Sequence, residues 1–122
     1  MRWHHAKFFN YEYAFCPSKE EWDTYWIKGG LTPPSYIKAG GRATFFQTEN
    51  HDGELMSRAI VTISDNISGP LEVVAILAHE AVHIKQDICE YIQEKSLSSE
   101  MEAYIVQAIL QDLLYAYKDT RL

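Results

Sequence analysis

Gly69-Pro70-Leu71-Glu72-Val73-Val74-Ala75-Ile76-Leu77-Ala78-His79-Glu80-Ala81-Val82-His83 is the stretch on which the fold of this chain turns. Proline is tolerated at the first position of a helix, where its missing N–H has no partner to lose, so Gly69-Pro70 predicts a helix start. The helix is expected to run from Leu71 to about Glu94. Val73, Val74, Ile76 and Leu77 make its first turns apolar, so it should be buried. The polar groups that follow must then find partners. His79 and His83 stand at i and i+4, about one turn apart on one face, so both imidazoles can reach a single metal ion. Glu80 is rotated about 100° from His79. That is near enough to touch a water on the metal without being a ligand. The residue types and spacing are those of HExxH, the pattern of metal-assisted hydrolysis with the glutamate as general base.

A catalytic zinc site needs a third protein ligand and an open position. The longer pattern HExxHxxGxxH would put Gly and His where this chain has Gln86 and Cys89, so it is absent. Glu100-Met101-Glu102-Ala103-Tyr104 offers two carboxylates. Helical geometry separates them, since Gln107, Gln111 and Lys118 all fall within about 20° of Glu100. Glu100 therefore belongs to a solvated stripe. Glu102 lies about 200° away, on the face shared by Ile105, Val106, Ile109, Leu113 and Ala116. A carboxylate there is costly to bury without a counter-charge, which a zinc ion would supply. Glu102 is the expected third ligand and Glu100 the fallback. Asp87 and Glu90, on the histidine helix itself, come after both. A capping box between Ser99 and Glu102, which would only stabilise a helix start, competes with the ligand role.

Outward from this centre, Phe9, Tyr11, Tyr13 and Phe15 recur at every second position and predict a strand. Ser18 with Glu21 resembles a capping box, and Trp22, Tyr25 and Trp26 follow at helical spacing until Gly29-Gly30. Leu31 to Gly41, with Pro33-Pro34 and Gly40-Gly41, reads as loop, the glycine pair marking a turn and not a phosphate cradle. Arg42 to Thr48 and Arg58 to Ser64 predict an antiparallel hairpin around Asp52-Gly53, with His51 in its turn. Ser96 to Ser99 breaks and recaps the chain before a last helix from about Glu100 to Lys118. The order β-α-β-β-α-α over residues 1–122 predicts one α+β domain. Its small antiparallel sheet should pack against the HExxH helix and the C-terminal glutamate-bearing helix.

A net charge of −6 and the lack of any Lys/Arg cluster exclude a nucleic-acid backbone as the main partner. No apolar run approaches the roughly 20 residues of a membrane span, and the N-terminus lacks a secretory apolar stretch. A cytoplasmic setting is therefore expected. Cys16 and Cys89 form no CxxC pair and read as free buried thiols. The aromatic residues, dense before residue 50, are expected mainly as core, and a terminal position argues against a metal role for His4 and His5.

On His79-Glu80-Ala81-Val82-His83 and Glu102-Ala103-Tyr104, the chain resembles the gluzincins, metallopeptidases with HExxH on one helix and a glutamate ligand on the next. It is most similar to minimal single-domain members of bacteria and bacteriophages. The resemblance spans about Ile60 to Tyr117 and implies a zincin-like fold. It also implies a strand forming the upper edge of the cleft, for which Arg58 to Ser64 is in place. An extended protein or peptide substrate would add to that edge through backbone hydrogen bonds. Zinc is the expected ion, although nickel or cobalt would suit the same ligands. Tyr104, Tyr36 and His51 are the candidates for steadying an oxyanion. Two other functions compete: a non-catalytic zinc-containing module that binds a protein through its aromatic surface, and hydrolysis of a small-molecule amide.

Overall fold

Residues 1–6, 9–94 and 97–122 are described by a computed structural model. In chain order the elements are β1 (Trp3–His5), β2 (Tyr11–Phe15), α1 (Lys19–Lys28), β3 (Gly41–Glu49), β4 (Leu55–Ile63), α2 (Pro70–Tyr91) and α3 (Ser99–Arg121). The α+β class expected from the sequence is what forms. The sheet differs from expectation: it is mixed, with strand order β1-β2-β4-β3. β1 pairs antiparallel with β2, and β3 with β4, but β2 runs parallel to β4, with Tyr13 opposite Ala59. The predicted hairpin is present, Gly41 facing Ile63 at one end and Glu49 facing Leu55 at the other.

This topology corrects the placing of the cleft edge. Arg58 to Ser64 lies largely within β4, which is paired on both sides, so the strand left with an open edge beside α2 is β3. Ile60, Val61, Thr62 and Ile63 are all buried, as befits a strand covered on both faces.

Alternation along the strands sorts two cores. Tyr11, Tyr13, Phe15, Ala59, Val61 and Ile63 meet Leu77, Ile84, Ile109 and Leu113 of α2 and α3. On the other face, Cys16 and Ile60 pack with Trp22 and Trp26 of α1. Ser18 caps α1 by accepting from the Glu21 N–H at 3.2 Å. The loop after α1 is tied down where Trp22 Nε1 donates to the Pro34 carbonyl at 2.7 Å. β1 was not expected at all. Trp3 packs on Tyr25, and His4 stacks on Tyr13 at 5.6 Å, so packing orders this terminal segment.

α2 stops at Tyr91, short of Glu94, because Gln93 takes φ 61 and Glu94 N–H turns back to the Cys89 carbonyl. Ser98 caps α3 by accepting from the Met101 N–H at 3.2 Å. The Ser99–Glu102 capping box therefore does not form. Ser96 lies outside the described residues. Cys16 and Cys89 are buried free thiols.

Candidate metal centre

The histidine pair forms as the spacing requires. On α2, His79 Nε2 and His83 Nε2 lie 3.0 Å apart, with both rings at the exposed rim of the helix. Two imidazoles bound to one tetrahedral ion at about 2.0–2.1 Å would hold their nitrogens roughly 3.3 Å apart. The pair thus stands close to a chelating geometry. His83 is also oriented from behind, its Nδ1 lying 3.0 Å from Gln86 Oε1. A proton on Nδ1 donated to that oxygen leaves the Nε2 lone pair facing His79. Gln86 was not singled out from the sequence, although its i+3 offset from His83 is the signal that could have found it.

Glu80 completes the cluster. One ligand atom from each of His79, Glu80 and His83 lies within 4.8 Å of the others. Unlike the histidines, Glu80 is 4% exposed. It is turned into the seam between α2 and β3, where the backbone N–H of Ala43 faces it. Burial raises its carboxyl above the usual carboxylate range, while His79, His83 and the Ala43 N–H draw it part of the way back. Such a group holds a proton more readily than an exposed glutamate, which suits a general base. The seam is tight because position 41 is glycine.

Glu102 is not part of this cluster. The helix phase was right, for Glu102 is half-buried and Glu100 exposed. The counter-charge it meets is Lys85, whose Nζ lies 3.3 Å from Oε1. Lys85 is turned about 160° from His83 around α2, so this ion pair sits on the far side of the helix from the histidines. Asp87 is likewise engaged elsewhere, accepting from the Tyr11 hydroxyl at 2.6 Å, and Glu90 is exposed. Of the oxyanion candidates, Tyr36 lies against the α1 core, His51 is exposed in the hairpin turn and Tyr104 is exposed on α3. His51 does not belong to the histidine cluster.

The donor set, two imidazoles and a carboxyl, fits a borderline divalent ion such as zinc. Comparison with known proteins returned no matching family model, no matching curated sequence and no matching solved structure. The chain has a potential metal-binding group of HExxH spacing in a mixed α+β fold, and the likeness to gluzincins rests on that motif. Among the described residues, no helix is long and apolar enough to cross a membrane.

Proposed function

We propose that the chain is a zinc-dependent peptidase in which His79 and His83 hold the metal and Glu80 is the general base. The observation that carries this reading is the pair of Nε2 atoms 3.0 Å apart with the buried Glu80 carboxyl beside them. The ion, when bound, supplies Lewis acidity toward a peptide carbonyl and lowers the pKa of water. Glu80 takes the proton of the attacking water and returns it to the leaving amine. β3, with its open edge along the same seam, aligns an extended substrate by backbone pairing.

Zinc analysis of purified protein tests this reading. About one zinc per chain is expected, lost in His83→Ala and kept in Glu80→Gln, with peptide cleavage abolished in both. Zinc binding without any cleavage across a peptide library overturns the peptidase. Glu102 serves as third ligand only by leaving Lys85, and an unchanged zinc affinity in Glu102→Ala removes it from the ligand set.

One observation favours a second reading, a non-catalytic metal-containing binding module. The Glu102–Lys85 pair leaves the histidines without a carboxylate from α3. In that case Glu80→Gln alters neither metal content nor partner binding.

A further inference from the structure

We propose that Phe45 selects the substrate of this site, a peptide with an aromatic or large aliphatic residue third before the cleaved bond; the inference rests on the peptidase reading above. In an antiparallel ladder the backbone groups of successive residues point alternately to the partner strand and away from it. Ser64 N–H donates to the Gly40 carbonyl just before β3, and Asn50 N–H to the Glu54 carbonyl just after it. In the same register the even-numbered residues of β3 bond to β4. The odd-numbered ones, Ala43, Phe45 and Gln47 among them, turn their N–H and C=O to the open edge. Ala43 is already engaged there, its N–H donating to Glu80. Next along the edge come the Ala43 carbonyl and both backbone groups of Phe45.

Phe45 stands opposite Ala59 and shares its face of the sheet, the face on which α2 lies. α2 starts beside β3, with Ile76 against Gly41, and passes over β2 near its end, where Asp87 accepts from Tyr11. The helix therefore draws away from β3 beyond Glu80, and Phe45 is left 42% exposed. An antiparallel peptide laid along this edge has its register set by Ala43. The peptide residue opposite Ala43 donates its N–H to the Ala43 carbonyl, but finds the Ala43 N–H taken by Glu80. Its own carbonyl is thus left beside the general base, and the bond that follows is the one cleaved. Two residues earlier the peptide lies opposite Phe45, where both backbone hydrogen bonds form. Opposed side chains of an antiparallel pair share a face, with Cβ atoms about 4.5–5.5 Å apart. That side chain rests against the Phe45 ring, and an aromatic or large aliphatic one covers the ring best. The intervening residue, opposite Thr44, points to the other face and does not meet it.

Two measurements test the assignment, the first without metal. In a chelating buffer, acetyl-Phe-Ala-Ala-Ala-amide and acetyl-Gly-Ala-Ala-Ala-amide are titrated into isotope-labelled protein and followed by NMR. The phenylalanine peptide should bind at least about threefold more tightly, and should shift the amide signals of Phe45 and Gln47. Phe45→Thr, which suits an edge strand, should erase the preference, and Phe45→Leu should keep most of it. Equal affinities, no binding, or shifts that leave Phe45 unmoved overturn the proposal. In the second measurement the zinc-loaded protein is given a peptide library, and the cut sites are mapped by mass spectrometry. Aromatic and large aliphatic residues should be enriched third before the cut with the wild type and not with Phe45→Thr. Cuts without that enrichment overturn the proposal and leave the peptidase reading standing. If nothing is cut, the peptidase reading falls, whereas the titration still supports or overturns Phe45 as the residue that reads the peptide.

Discussion

At position 41 the sheet and α2 leave no space for a side chain. A Cβ there would lie 2.3 Å from Ile76 Cγ2 and 3.6 Å from Glu80 Oε2. Gly41→Ala must displace Ile76, at a cost of about 1–3 kcal/mol, and should shift the Glu80 carboxyl with it. The expected result is a lower urea midpoint together with slower peptide cleavage. Gln86 acts on the other side of the pair. Gln86→Ala frees the His83 ring to rotate and should weaken zinc affinity by about 10–100-fold, measured by competition with a chromogenic chelator, while the fold is unaffected. The sequence disclosed His79, Glu80 and His83 because their relation is local, fixed by the helix that carries them. Glu102 shows the limit of such reading. A helical wheel gives the direction of a side chain about its own axis, but not which residue of the neighbouring helix will face it. The need for a counter-charge was foreseen, and a lysine met it.

β2 fastens the sheet to both helices on one face through alternate residues. Tyr11 donates to Asp87 of α2, and Tyr13 to Asp112 of α3. Burial and these carboxylates push both phenols far above their ordinary value of 10.0, and Tyr36 rises to about 12 through burial. The native state keeps these protons while the unfolded chain releases them from about pH 10 upward. Stability should therefore be fully present below pH 10 and decline as the pH rises beyond it. Urea midpoints between about pH 8 and 11 should show the decline, and Tyr11→Phe or Tyr13→Phe should flatten it. Each substitution should also cost about 1.5–3 kcal/mol at neutral pH, the range for a hydrogen bond to a charged group. The elements themselves were legible where periodicity or caps marked them, as with Ser18, Pro70 and the alternating tyrosines. β1 was not. Three residues are too few to show a period, and Trp3 and His4 are ordered by aromatic neighbours distant in sequence.

Over the whole molecule, β4 is shared by both cores, sending Ile60 toward α1 and Ala59, Val61 and Ile63 toward α2 and α3. Trp3, Trp22 and Trp26 all belong to the α1 side, whereas α2 and α3 supply most of the helix. Tryptophan fluorescence and far-ultraviolet dichroism therefore report different layers. With a strand in common, the layers should unfold together, giving coincident urea transitions by the two probes. Separated midpoints would show that the layers are independent. The mixed sheet could not be read from strand patterns, because alternation marks a strand without naming its neighbours. The same topology gives the chain a schedule during synthesis. β2 and β3 leave the ribosome before the strand that must lie between them, and neither can pair with the other in its absence. Until residues 55–63 emerge, the nascent chain carries Tyr11, Phe15, Trp22 and Trp26 without the strand that completes their burial, a sticky interval suited to chaperone capture.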